Sequence, residues 1–335
     1  MNILYSCDDK YSPYAGISIT SLFENNKDIG SITVYIMSSD ISDNNVSKLK
    51  KLADNYNREI TIIDVSKYDK YFESNNVRLL NNSRATYYRL IAADVLPKDI
   101  DRFLYLDCDV IILDSLVELL NFVFEEHKAC AMVYHGKIQK SHKKLLRLGE
   151  EDLYYYAGIM LFDVKAWKEL KCSERILKTL ENKSRYYITN DQDIINASIN
   201  ENIQSLAPEY NVISDWYEVS KKTLYKYMIK PNDILYSEES LQSATRNPKI
   251  LHYAGYKPWE KVMSVKNNSL IRHWDRYKDM SLWGDIPQVE RKQRFILKIR
   301  QILYKALPGN IYFIINKNIY SFYIWCYYHK IKKFL

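Results

Sequence analysis

The chain has 335 residues, 47% of them hydrophobic, enough to bury the core of one large domain or two modest ones. Its five cysteines (Cys7, Cys108, Cys130, Cys172 and Cys326) are scattered, odd in number and without metal-ligand spacing, which excludes a disulfide framework and points to a reducing compartment. The net charge of +7 is unevenly spread: residues 291–335 hold ten Lys and Arg and no acid, leaving the rest at −3. A near-neutral body with a basic end excludes a general nucleic-acid binder and suggests one localised anionic partner.

Asn2–Ser6 reads as a short buried strand that opens the chain without an export leader, and Asp8-Asp9 follow it. Ser12 and Pro13 supply a cap and a first-turn proline for a helix to about Asn26. A strand at Ser31–Met37, a helix at Ser42–Tyr56 and a strand at Glu59–Val65 complete a βαβαβ order, which requires a parallel sheet with crossover helices. Ser83–Ala93 reads as a helix carrying Arg89, and Arg102–Leu106 as a buried strand. A short helix after Asp114 leads to strands at Ala129–Tyr134 and Tyr154–Phe162. Helices are expected at Val164–Leu170, Ser173–Leu180 and Asp191–Ser198. Aromatic-rich irregular segments then lead to a last strand, Lys249–Tyr253. With no internal repeat and no Gly/Ser linker, residues 1–285 read as one α/β domain with a mixed, mainly parallel sheet.

Residues 286–335 read as a separate basic, aromatic helical tail. Phe295, Ile299, Ile302, Leu303 and Ala306 share a helical arc opposite Arg294, Lys298 and Lys305, and Gly309 breaks the pattern. Asn310–Tyr328 is mostly aromatic and aliphatic. Lys317 near its middle argues against a spanning helix, which needs ~20 predominantly apolar residues. Attachment to an anionic membrane surface fits better, with docking onto the body or another chain as the alternative.

The chemistry centres on Asp107-Cys108-Asp109, at the end of the buried Phe103–Leu106 run. Both carboxylates share a face of a strand only if the backbone stays extended. Adjacent carboxylates repel unless a cation lies between them, and hard oxygens suit Mg²⁺ or Mn²⁺, which grip diphosphates. The competing reading is a solvated turn, since Asp191-Gln192-Asp193 repeats the pattern in the same chain. Position after a buried strand favours the ligand site, because open α/β sheets bind ligands beyond the carboxyl ends of their strands. No glycine-rich phosphate loop is present, so phosphate must be held by another route. His252 could supply a third ligand, and the following Gly255, Lys257, Pro258 and Trp259 offer close backbone approach, a point charge and a stiff loop.

Six segments, in order, resemble the family-8 glycosyltransferases, and among them the bacterial lipopolysaccharide glucosyl- and galactosyltransferases. They are Leu4–Tyr11, Ser83–Leu90, Leu104–Asp109, Tyr156–Asp163, Asp191–Asn196 and His252–Trp259. The resemblance implies a Rossmann-like, nucleotide-diphospho-sugar transferase (GT-A type) fold and retaining transfer of glucose or galactose from a UDP-hexose. It implies that Ser6, Asp8, Lys10 and Tyr11 meet the nucleoside, with Asp107, Asp109 and His252 as ligands of Mn²⁺ (or Mg²⁺) around Cys108. Tyr156, Ala157 and Gly158 would lie under the donor sugar, Arg89, Asp191 and Gln192 would serve catalysis, and Gly255 and Lys257 would close over the diphosphate. The same resemblance implies a lipid-linked saccharide acceptor and a cytoplasmic, peripheral place on the inner face of the bacterial cytoplasmic membrane. Three departures stand out: Tyr156 occupies the usual place of Asn, the Gly255–Lys257 spacing is one residue short, and Lys10 replaces Asn. Two rivals are a nucleotidyltransferase of the same fold, which would release pyrophosphate, and a module that binds the sugar nucleotide without cleaving it.

Overall fold

The structure is a computed structural model that describes residues 1–80, 83–228, 235–261, 267–290 and 295–332. The strands, in chain order, are β1 (Asn2–Ser6), β2 (Thr33–Ser38), β3 (Glu59–Asp64), β4 (Arg102–Leu106), β5 (Val110–Ile112), β6 (Cys130–Tyr134), β7 (Tyr155–Asp163), β8 (Ile203–Ser205), β9 (Val212–Ile213) and β10 (Ile250–His252). Seven form one sheet in the order β3-β2-β1-β4-β7-β6-β8, and β5-β10-β9 form a second. The first four strands of the large sheet are parallel, while β7 runs antiparallel to both β4 and β6. This is the mixed, mainly parallel α/β sheet that the strand and helix order requires.

The central strands are buried on both faces, which is why they read as unbroken apolar runs. Ile3 and Tyr5 of β1, with Leu104 and Leu106 of β4, face one core; Leu4, Phe103 and Tyr105 face the other. Helices Ser12–Asn25 and Asp43–Asn55 make the first two crossovers. Asp9 ties the second to the end of β1: its Oδ1 accepts from the Ser42 N–H at 2.9 Å, the Ser42 hydroxyl at 2.6 Å and the Asn45 amide at 2.8 Å. That leaves Asp8, not Asp9, to line the space above the sheet.

Some elements depart from the sequence expectation. Ala85–Ile91 is a 3-10 helix, with α-helix only at Ala92–Val95. Arg89 Nε donates to the Thr86 carbonyl, a side-chain bond that competes for the backbone of this turn. Helices at Ser66–Ser74, Lys140–Leu146, Lys221–Met228, Glu238–Arg246 and Asn268–Met280 occupy stretches with no predicted element. In the last of these the core side is Leu270, Trp274 and Tyr277, a helical spacing hidden among aromatics.

The tail forms two helices, Phe295–Ala306 and Gly309–Ile331, parted at Pro308. They pack on the body. Tyr304 stacks on Tyr256 with ring centroids 3.9 Å apart, and Ile324 is fully buried. Gly309 permits the crossing, because a Cβ there would fall 1.6 Å from the Glu218 carbonyl oxygen. The opposite side stays open to solvent, with Ile302 65%, Phe322 67% and Trp325 50% exposed. Arg294 and the side chains of Phe295 and Lys298, part of the predicted arc, lie outside the described residues. No described helix is long and apolar enough to cross a membrane.

Candidate active site

β4 ends at Leu106 and β5 begins at Val110, so Asp107-Cys108-Asp109 is the turn between the two sheets. The backbone is therefore not extended here, and it is the turn that gathers the two carboxylates. It is pinned at both ends: the Asp107 N–H donates to the Gly158 carbonyl at 2.8 Å, and the Tyr253 N–H to the Asp109 carbonyl at 2.9 Å. Antiparallel pairing sets His252 opposite Val110. Its Nε2 consequently lies 3.2 Å from Asp109 Oδ1 and 3.9 Å from Asp107 Oδ2. One ligand atom from each of the three residues falls within 4.8 Å of the others.

The far nitrogen of the imidazole explains its readiness to bind. Nδ1 lies 2.9 Å from Asn211 Oδ1, an oxygen that only accepts. An Nδ1–H to Asn211 Oδ1 bond orients the ring so that Nε2 is the nitrogen turned to the carboxylates, where it would be the ligand atom for a metal. Gly158 makes room on the other side: a Cβ there would stand 2.4 Å from His252 Cε1 and 2.8 Å from Asp107 Oδ2. Two carboxylates with a neutral imidazole fit Mn²⁺, and fit the oxygen-seeking Mg²⁺ less well.

Charge is balanced by two buried cations. Lys257 donates to Asp109 Oδ2 and to the Tyr253 carbonyl. Burial pushes the Asp109 carboxyl up, but Lys257 and His252 outweigh it and hold the group well below the usual carboxylate range. Arg89, 5% exposed, bridges Asp107 at 2.6 Å and Asp191 at 3.0 Å, and donates to the Ala157 carbonyl. Burial disfavours its charge, yet Asp107 and Asp191 raise its pKa above the ordinary arginine value. At Asp191 burial wins, and its carboxyl is shifted up despite Arg89 and the Thr86 hydroxyl, which donates at 2.7 Å.

The second acidic pair separates by role. Residues two apart on a helix point in different directions, and Asp193 turns away from Asp191 into the core. Asp193 accepts from the Tyr154 hydroxyl at 2.6 Å and the Ile188 and Thr189 N–H groups at 2.8 and 3.0 Å, and meets His142 Nε2 at 2.9 Å. It anchors the loop before the Asp191–Ile199 helix. Gln192, between them, accepts from the Ala157 N–H at 3.1 Å and donates to the Tyr154 hydroxyl at 3.0 Å, which fixes its amide against β7.

These groups surround a cleft of about 700 Å³ beyond the carboxyl ends of β1 and β4, within the size range of small-molecule sites. Ser6, Asp8, Tyr11, Arg89, Asp107, Cys108, Asp109, Tyr156, Ala157, Gly158, Asp191, Gln192, His252, Gly255 and Lys257 all line it. Lys10 does not: it is exposed on the turn after β1, outside the cleft lining. Residues the sequence reading passed over include Thr86, Tyr105, Asn211 and Thr189. Tyr105 donates to Asp107 Oδ1 at 3.1 Å and meets the Ser6 hydroxyl at 2.8 Å. Thr86 and Tyr105 lie inside the quoted motifs, whereas Asn211 carries no sequence signal.

The mixed, mainly parallel sheet with its helices is the fold of GT-A type glycosyltransferases. Residues 2–263 match glycosyl transferase family 8, and the chain belongs to that family. It is therefore a glycosyltransferase by family, with a nucleotide-sugar donor and a saccharide acceptor. It is 29% identical over 303 residues to lipopolysaccharide 1,2-glucosyltransferase of Escherichia coli K12, covering 88% of this chain and 84% of that protein. General stress protein A of Bacillus subtilis is 23% identical over 293 residues, covering 85% of this chain and 96% of the relative. Among solved structures, galactosyltransferase LgtC, in complex with donor and acceptor sugar analogs, shares the fold. Its TM-score is 0.70 at 21% identity, covering 86% of this chain and 97% of that one.

Proposed function

We propose that this protein moves a hexose, glucose or galactose, from a UDP-sugar to a saccharide acceptor with retention of anomeric configuration. The observation that carries the reading is the convergence of Asp107, Asp109 and His252 on one point of the cleft, with Lys257 beside them. Mn²⁺, when bound there, supplies positive charge against the donor diphosphate. Lys257 adds a point charge for the same phosphates. Arg89 holds Asp107 and Asp191 in place, and the Asp191 carboxylate orients hydroxyls of the donor sugar. Ser6, Asp8 and Tyr11 take the nucleoside end.

An amide is a poor nucleophile, so Gln192 acts as support and not as attacker. The acceptor hydroxyl oxygen bonds to the anomeric carbon on the face from which UDP departs. As that bond forms, the bond from the anomeric carbon to the β-phosphate oxygen breaks, and the hydroxyl proton passes to the departing phosphate. The fixed amide of Gln192 steadies the positive charge at the anomeric carbon.

The glucosyltransferase relative acts on lipopolysaccharide, which supports an acceptor in lipopolysaccharide or another surface glycan, attached to lipid. On this reading residues 1–285 are catalytic and 286–335 hold the enzyme to the inner face of the cytoplasmic membrane. The exposed Ile302, Phe322 and Trp325, on a tail that carries ten Lys and Arg and no acid from residue 291, support that attachment. A screen of UDP-sugars with Mn²⁺, scored by UDP release and by the anomeric configuration of the product, tests the proposal. Release from UDP-glucose or UDP-galactose with a retained anomer is expected. An inverted product, or pyrophosphate in place of UDP, would contradict it.

A further inference from the structure

Beside the donor cleft lies a second cavity of about 210 Å³, roughly seven waters by liquid volume and on the scale of one sugar ring. Tyr156 and Thr189 line both spaces, so the cavity opens off the place where transfer would occur. One wall belongs to the body and includes His135, Asp215 and Tyr227. The other is the Gly309–Ile331 helix, through Phe313, Asn316, Lys317 and Tyr320. That helix is fixed by its own bonds: Gln139 donates to the Ser321 hydroxyl at 2.6 Å, and the Ser220 N–H to Asn310 Oδ1 at 2.7 Å.

The charged groups of this cavity are Lys137 and Lys317 on one side and Asp215 and Glu218 on the other. Lys317 lies 4.1 Å over the Tyr227 ring. Burial first, then the charges of Lys137 and Lys226, push its pKa down to about 8. Lys137 and Lys317 line the cavity with no carboxylate in ion-pair contact among the described residues, whereas Lys226 is exposed and outside the lining; Glu218, in the same lining, accepts from the Tyr304 hydroxyl at 3.2 Å. Elsewhere in the lining, His142 Nδ1 and Gln139 Oε1 are buried without a partner. Asp215 stands at the donor side, its Oδ1 3.3 Å from where a Cβ on Gly255 would be. Tyr156, Tyr227 and Phe313 supply apolar faces for the C–H side of a pyranose.

We propose that this cavity takes the acceptor, and that the acceptor is a saccharide bearing a phosphate or carboxylate group read by Lys317 of the C-terminal helix together with Lys137. The inference rests on the sugar-transfer reading and adds a substrate class to it. The tail is then part of the substrate site as well as an attachment device.

Calorimetric titration of the full-length protein, with Mn²⁺ and with or without UDP, tests this directly. The probes are methyl glucoside, its 6-phosphate, methyl glucuronide and inorganic phosphate. The 6-phosphate or the glucuronide should bind at least about tenfold more tightly than the neutral glucoside, and whichever does so identifies the anion. Lys317→Met should abolish that preference at an unchanged melting temperature, Lys317→Arg should retain it, and Lys137→Met should weaken it. Equal binding of neutral and charged glycosides, or no binding of either charged one, would overturn the proposal. So would a preference that survives Lys317→Met, or inorganic phosphate binding as tightly as the sugar phosphate. UDP release by the wild type is scored separately. Its absence with Lys317-dependent binding intact would sink the sugar-transfer reading alone, and the converse pattern would sink the acceptor site alone.

Discussion

Asn211 touches the cluster only through His252, yet its bond to Nδ1 orients the ring with Nε2 toward the carboxylates. Such supporting bonds are typically worth 10–100-fold in metal affinity. Asn211→Leu should therefore raise the Mn²⁺ requirement for UDP release by about that factor, with near-normal turnover at saturating Mn²⁺. An unchanged Mn²⁺ titration would remove Asn211 from the account. Residues of the cluster itself were legible in the sequence because each sits in a contiguous motif: the acidic pair ends an apolar strand, and His252 ends another. Asn211 was not legible, since its role depends on β9 lying beside β10, a pairing between segments about forty residues apart. Asp193 was half legible. Its spacing from Asp191 was plain, but only the helix geometry sends it into the core.

The longer strands and the first two crossover helices were readable from periodicity, because strands buried on both faces leave unbroken apolar runs, whereas the order of strands within the sheet was not. The two short sheet partners β8 and β9 were not, being three and two residues long. The tail shows the opposite difficulty. Its helices were readable, but which side meets the body was not, since aromatic residues ring the Gly309–Ile331 helix on all sides. Docking turns on Gly309, where the chain passes against the Glu218 carbonyl. Gly309→Ala should loosen the last helix from the body, seen as faster amide exchange across 310–331 with the sheet unchanged. Equal protection in variant and wild type would show that the crossing tolerates a side chain. On the solvent side, replacing Phe322 and Trp325 together by Ser should reduce sedimentation with anionic vesicles several-fold. Undiminished sedimentation would argue against membrane attachment by this face.

For the whole molecule, Asp215 sets a pH signature. Burial first, then Glu218, raise its carboxyl to about 6, against the opposing pull of Arg300 and Lys257. An unfolded Asp titrates near 3.9, so between about pH 4 and 6 the native state binds the extra proton. Stability linked to this group therefore falls as pH rises through that window, and the full cost is present at pH 7. Asp215→Asn should melt higher than the wild type at pH 7, with the gap closing below about pH 4. A gap that is constant with pH would show that Asp215 titrates normally.

The central claim is that two sheets meet at Asp107-Cys108-Asp109 to make, with His252, a divalent-metal site that serves transfer from a UDP-hexose. Its most direct measurement is UDP release from UDP-glucose and UDP-galactose by the full-length protein, titrated with Mn²⁺ after EDTA treatment. Restoration by Mn²⁺ in the wild type, and loss of that restoration in Asp107→Asn and Asp109→Asn, is the predicted result. Full activity in EDTA, or full Mn²⁺-dependent activity in either variant, would contradict it.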